Sequence, residues 1–256
     1  MTTGYLYVPN ESDNTVSVID TSNDSVVATI PIAATPDGTA VSPDGTLVYV
    51  ASESGFVSII NTASNMVTAS IPVGRGTDFV AFSPNGSVAY VTHWGDDYVS
   101  VINTATNAVI ANITTGSGTY RVALSPDGSR AYVSNEFAGT VSVIDTGSNT
   151  VVGSITVGGD PTIVAVSPDG THVYVSNNGS GTVSVIDPAS TRLRLLSTSE
   201  AALTASSLAR TGPTRTSPRE APFRLSIRAA IQSSVLLILV HKPLASQSAP
   251  TVSNFM

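Results

Sequence analysis

"YVSNEFAGTVSVIDTGSNTVVGSITVG", residues 132–158, is the stretch whose reading decides the fold. Three short β-rich runs alternate with turn residues. In "VSVID" (141–145) Val141 and Val143 point to one face and Ser142 and Ile144 to the other, so the strand packs on both sides without being uniformly apolar. Outward from this stretch the same marks return. "YVSN" at 132–135 matches "YVPN" at 7–10, "YVAS" at 49–52, "YVTH" at 90–93 and "YVSN" at 174–177. "VSVID" matches segments at 16–20, 57–61, 99–103 and 183–187, and "SPDG" or "SPNG" stands at 42–45, 83–86, 125–128 and 167–170. The period is 42 residues, once 41. "SPDG" suits a tight turn: Pro fixes φ, Asp bonds back to the backbone and Gly accepts a positive φ. Each repeat therefore reads as four short strands.

A four-stranded antiparallel unit repeated every 40–45 residues is the pattern of a propeller blade. One blade cannot bury both of its faces, so neighbours must cover them. The expected fold is all-β, a β-propeller of ~42-residue four-stranded blades. On the five copies of the Tyr-Val and "VSVID" marks, residues 1–187 resemble the YVTN family of β-propeller repeat proteins, which includes surface-layer-like members and is related in fold to seven-bladed lactonase-like propellers. The resemblance implies an extracellular or cell-envelope location and a ring whose missing inner strand is supplied by the C-terminal part of the chain. This chain starts at the second strand of a blade, residues 4–10, so it is expected to need such a partner. The expected object is an incomplete arc of four to five blades from a seven-bladed parent. Open blade faces at its ends make it marginal in stability, prone to self-association, or dependent on a partner for cover.

Composition bounds the alternatives. The chain has 256 residues, 41% hydrophobic and 11% charged, enough to bury a core as one domain. The absence of cysteine excludes a disulfide framework and a thiolate metal site. No basic segment followed by an apolar one opens the sequence, and the apolar run at 235–240 is far too short to span a bilayer. Residues 1–187 carry three arginines, no lysine and sixteen Asp/Glu, a net −13, which disfavours nucleic-acid binding. Residues 188–256 carry eight Lys/Arg and two Glu, a net +6.

That change of vocabulary, typified by "LARTGPTRTSPRE" at 208–220, has a specific reading. Read one base earlier, residues 209–216 can encode Ser-Pro-Asp-Gly-Thr-His-Ala-Tyr, residues 223–237 can encode "VSVIDTGSNTVVGSI", and residues 249–252 can encode Ser-Pro-Asp-Gly. Each falls in register with the repeats. Residues 188–256 are therefore expected to be an out-of-frame translation of the sixth and seventh repeats, against the simpler reading of a low-complexity tail.

Function is sought in the loops that enter each blade and those between its second and third strands, because variation at loop tips on a rigid scaffold is where binding is placed. The residues there that depart from the repeat are Arg75, Asp78, His93, Trp94, Asp96, Asp97, Tyr120, Arg121, Glu136 and Phe137. They are candidates for a binding surface; the competing reading is ordinary solvated loop residues. No catalytic residue is assigned: no Gly-x-Ser-x-Gly elbow, His-rich metal pattern or EF-hand loop occurs. No cofactor is expected, although Asp96 and Asp97 beside His93 can hold a divalent cation through carboxylate oxygens, as some lactonase-like propellers do. Two functions follow: a non-catalytic scaffold binding a protein, peptide or glycan, or a lactonase-like hydrolase with a metal or acid–base site in the central channel. Resequencing the coding DNA across codons 185–195 is expected to reveal a one-base slip, and an intact frame there would restore the genuine-tail reading.

Overall fold

A computed structural model describes residues 4–32 and 35–198. The described residues are all-β, nineteen strands in five antiparallel sheets, each a meander of sequential strands. The first sheet has three strands, β1 (Tyr5–Asn10), β2 (Thr15–Asp20) and β3 (Ser25–Pro31). The second has four, β4 (Pro36–Val41), β5 (Leu47–Ser52), β6 (Phe56–Asn61) and β7 (Met66–Pro72). The third comprises β8 (Thr77–Phe82), β9 (Val88–His93), β10 (Tyr98–Asn103) and β11 (Ala108–Thr114). The fourth comprises β12 (Thr119–Leu124), β13 (Arg130–Asn135), β14 (Thr140–Asp145) and β15 (Thr150–Thr156). The fifth comprises β16 (Pro161–Val166), β17 (Val173–Asn177), β18 (Thr182–Asp187) and β19 (Arg192–Thr198). First strands of successive sheets lie against one another, β4 on β8, β8 on β12 and β12 on β16, whereas fourth strands barely meet. The sheets thus fan out from their first strands as an incomplete β-propeller. The out-of-frame reading falls largely outside the described residues; within them, β19 pairs with β18 as the outer strand of the fifth sheet.

Apolar clusters sit between sheets. Each sheet has a leading face, turned to its successor, and a trailing face, turned to its predecessor. Tyr7, Val16 and Val18 on the leading face of the first sheet pack on Val48, Val50 and Ile60 of the second. Tyr49, Val57 and Ile59 then meet Val80, Val91 and Ile102. Further on, Tyr90, Val99 and Val101 meet Val133 and Ile144, and Tyr132, Val141 and Val143 meet Val173, Val175 and Ile186. The alternation expected for "VSVID" is what divides these side chains between two interfaces.

Polar ties fix the stack in register. Tyr7, Tyr49 and Tyr90 donate their hydroxyls to the Oδ1 atoms of Asn65, Asn107 and Asn149 at 3.1, 3.1 and 3.5 Å, each the turn residue between third and fourth strands of the following sheet. Those asparagines have φ of 52–54°, left-handed backbone that Asn tolerates better than most residues. The "SPDG" turns are tied too. In the first of them Ser42 and the Thr46 amide both donate to Asp44 Oδ1, Gly45 has φ 74°, and Thr62 donates to the Gly45 carbonyl at 2.8 Å. The carboxyls of Asp127 and Asp169, in the later copies, are held down to about 2, first by the serine two residues earlier.

The tyrosine tie yields a prediction. Replacing Asn107 by Ala removes an acceptor worth about 1 kcal/mol and leaves a Cβ in left-handed backbone at a further cost of about 1 kcal/mol. Urea denaturation is expected to find Asn107→Ala less stable by about 2 kcal/mol and Tyr49→Phe by about 1 kcal/mol, with the double variant falling short of the sum.

Candidate functional site

The loops that enter the sheets and the hairpins between their second and third strands meet at one end of the fan. A left-handed residue precedes each first strand: Thr35 (φ 37°), Gly76 (67°), Gly118 (75°) and Asp160 (49°). Its carbonyl accepts the amide of the neighbouring hairpin, from Glu53 at 3.1 Å, Trp94 at 2.6 Å, Glu136 at 2.7 Å and Asn178 at 2.9 Å. Immediately afterwards the ladder between first and second strands slips, between Pro36 and Thr39, Thr77 and Phe79, Thr119 and Val122, and Pro161 and Val164. Such bulges re-aim side chains at sheet ends. Asp37, Asp78, Tyr120 and Thr162 occupy equivalent stations there.

Across the second, third and fourth sheets these stations form a polar cluster. Asp78 is only 7% exposed and forms an ion pair with the Arg121 guanidinium. Arg121 lies over the Phe79 ring at 4.8 Å and beside the Tyr120 ring at 4.5 Å. Gly38 is required by this packing: a Cβ there would sit 2.6 Å from the Asp78 carbonyl oxygen. Burial is the main force raising the Asp78 carboxyl, to about 8; a hydrogen bond with Asp37 adds to it, Arg121 opposes it, and the charges of Asp37 and Glu53 push it up further. Asp78 therefore gives up its proton well above the ordinary carboxylate range, beside a guanidinium that it engages once charged.

The remaining candidates divide into four groups. Trp94 and Phe137, 49% and 60% exposed, stand at equivalent hairpin tips of the third and fourth sheets, ring centroids 5.9 Å apart in an edge arrangement. The Trp94 indole N–H donates to Glu136 Oε2 at 2.8 Å, and the Glu136 charge also acts on Tyr120, whose hydroxyl is raised chiefly by burial. Asp97 works within the scaffold, accepting the Gly118 amide on Oδ1 at 3.1 Å and the Thr115 amide on its carbonyl. Arg75 and Asp96 are exposed loop residues.

His93 is fully buried. It fills the position where Asn10, Asn135 and Asn177 each donate to two hydroxyls of the next strand, Asn135 to Thr140 at 3.0 Å and Ser142 at 2.9 Å. The His93 Nε2 atom pairs with Ser100 Oγ at 2.9 Å, and the ring stacks on Tyr98 at 4.2 Å. Burial lowers its pKa, keeping the imidazole neutral. His93 is a hairpin clamp under the surface, whereas Asp96 and Asp97 are exposed. Among the described residues no group of three or more His, Asp or Glu converges to hold a metal ion.

Sequence reasoning passed over Asp37 and Phe79. The signal for Asp37 was its spacing, 41 residues before Asp78 in the one short repeat. The bulge at that station, which sequence does not reveal, re-aims its side chain.

The sequence model of the family described as "Lactonase, 7-bladed beta-propeller" matches residues 77–202, from the first residue of β8 to just past β19 and slightly under half of the chain. Among solved structures, the chain is similar to the hydrazine synthase of Kuenenia stuttgartiensis, with 21% identity and a TM-score of 0.59 over 72% of this chain and 73% of that one. It is also similar to a functionally unknown protein from Desulfotomaculum acetoxidans DSM 771, with 21% identity and a TM-score of 0.66 over 74% of this chain and 64% of that one. At such identity the likeness is one of fold. No protein of curated function matches the sequence.

The raised carboxyl has a testable sign. Between the ordinary carboxylate value, about 4, and about 8, folded Asp78 keeps a proton that the unfolded chain has lost. Its contribution is therefore complete at acid pH and disappears as pH rises through the folded value. Thermal midpoints measured from pH 5 to pH 9 are expected to fall for this reason. In Asp37→Ala, which leaves Arg121 facing Asp78 without the second carboxyl, that fall is expected to shrink.

Proposed function

We propose that this protein is a non-catalytic β-propeller scaffold that binds a protein, peptide or glycan through the loop end of its third and fourth sheets. The observation that carries the reading is the pair of exposed aromatic rings, Trp94 and Phe137, joined through the hydrogen bond from Trp94 to Glu136. Large aromatic side chains at adjacent loop tips of a rigid sheet stack present stacking area at little entropic cost. A sugar ring or an apolar peptide side chain can lie on the indole while Glu136 accepts from a hydroxyl or amide. The tyrosine–valine repeat resemblance is what supports a place at the cell surface.

A second reading has its own support. The Asp37–Asp78 pair beside Arg121 supplies a proton-holding carboxyl near the first strands, and the matching family model is that of lactonase-type propellers. Against its use in turnover, the Arg121 guanidinium is already engaged by Asp78 and packed against two rings.

Screening the full chain against glycan and peptide arrays separates the two. Under the binding reading, Trp94→Ala and Phe137→Ala each weaken the selected ligand by about tenfold or more, as expected of aromatic hot spots, with unchanged thermal midpoints, while Asp78→Asn retains it. Lactone hydrolysis that depends on a divalent metal and is lost in Asp78→Asn would instead establish the hydrolase.

A further inference from the structure

We propose that copies of this chain associate head to tail, the leading face of the fifth sheet of one copy seated on the trailing face of the first sheet of the next. Every interface between described sheets pairs a leading face with a trailing one, and the two uncovered faces are one of each kind. On the leading side, the second-strand tyrosine is closed off in the first four sheets, Tyr7 being 6% exposed and Tyr49, Tyr90 and Tyr132 at most 2%. Its fifth copy, Tyr174, is only half-buried, and so are Val183 and Val185, whose counterparts Val141 and Val143 are at most 3% exposed. On the trailing side, Leu6, Val8 and Ile19 are half-buried, whereas Val48, Val50 and Ile60, their counterparts one sheet later, are completely buried. Among the described residues, no sheet covers either set.

The polar registration is prepared as well. Each tie from Tyr7, Tyr49 and Tyr90 ends on the left-handed turn residue between third and fourth strands of the covering sheet. In the first sheet that station is Asp24, with φ 56° and carboxylate oxygens where the second, third and fourth sheets carry a carboxamide oxygen; in the fifth it is Thr191. Tyr174 of one copy therefore meets an acceptor on the next, in the geometry used three times inside the molecule. Because the two faces differ, the contact does not close at two copies; it continues into a ring or an open filament.

The test uses the full chain in sedimentation velocity over a wide concentration range. Wild type is expected to form species larger than a dimer as concentration rises. Val8→Asp, which spoils only the trailing face, and Val185→Asp, which spoils only the leading face, are each expected to stay monomeric with a native far-ultraviolet spectrum. Mixed in equal amounts they are expected to form a one-to-one dimer and nothing larger, because each retains the face that its partner needs. Should either variant fail to fold, the exposed Asp24 serves: Asp24→Ala weakens association several-fold, the worth of one hydrogen bond, and Asp24→Asn restores it. A wild type that is monomeric throughout, as it would be if residues 199–256 of the same chain covered the fifth sheet, overturns the proposal. So does a mixture of the two variants that remains monomeric. Neither result bears on ligand binding at Trp94 and Phe137.

Discussion

The structure depends on one contact made four times: a Tyr and two aliphatic residues on the leading face of one sheet, closed by aliphatic residues on the trailing face of the next. A strand such as "TVSVID" offers apolar side chains to both sides, and in water neither side is stable bare. Leaving one Val, Leu or Ile exposed instead of buried forgoes about 1.5–3 kcal/mol, a sizeable part of the total stability of an ordinary domain. Stability is therefore a property of the stack, the sum of sheets and of nearest-neighbour interfaces. Hydrogen bonds then select among the apolar packings. At the first three interfaces the Tyr–Asn tie works only if the covering sheet is rotated and translated to one position on its predecessor, so it fixes there the register that the aliphatic contacts alone leave loose.

This division explains what was legible in the sequence. Strand number, turn positions and the two-faced pattern are local, and "YV", "VSVID" and "SPDG" encode them with side chains whose preferences are short-range. The five sheets and their strand boundaries follow from those marks. Two features were not legible because they arise between segments. The slip between first and second strands is a backbone adjustment: the 41- and 42-residue spacings already align Asp37, Asp78, Tyr120 and Thr162, but which side chains meet there emerges only once strands are paired. The fate of His93 was hidden as well. A histidine in a loop-like stretch reads as a surface group, but the "YVxN" mark already indicated its role, since Asn10, Asn135 and Asn177 at that station clamp the following strand. A residue that breaks a repeat can replace a structural part as readily as it can add a functional one.

The same distinction sorts the other departures. Asp97 and Gly118 hold the loop that carries Phe137, whose ring a Cβ on Gly118 would strike at 2.8 Å. They belong to the scaffold. Trp94 and Phe137 are different: the Gly76 carbonyl takes the Trp94 amide and the Gly118 carbonyl that of Glu136, next to Phe137, while about half or more of each residue stays exposed. Asp78 is a different case, a buried carboxyl whose charge is disfavoured by burial and by Asp37 and favoured by Arg121. Each opposing effect comes from a neighbouring sheet, Asp37 from the second and Arg121 from the fourth, so its titration responds to how the three sheets are set against one another.

The location of these residues also separates function from assembly. Asp37, Asp78, Trp94, Tyr120, Arg121, Glu136 and Phe137 belong to the second, third and fourth sheets, the three whose leading and trailing faces are both covered by described neighbours. In a stack governed by nearest-neighbour contacts, what happens at a terminal face reaches these sheets only through an interface that is already closed. Cover at the ends sets how stable the arc is as a whole. The geometry of the loop end is set by the interfaces on either side of the third sheet, and these are complete within a single chain.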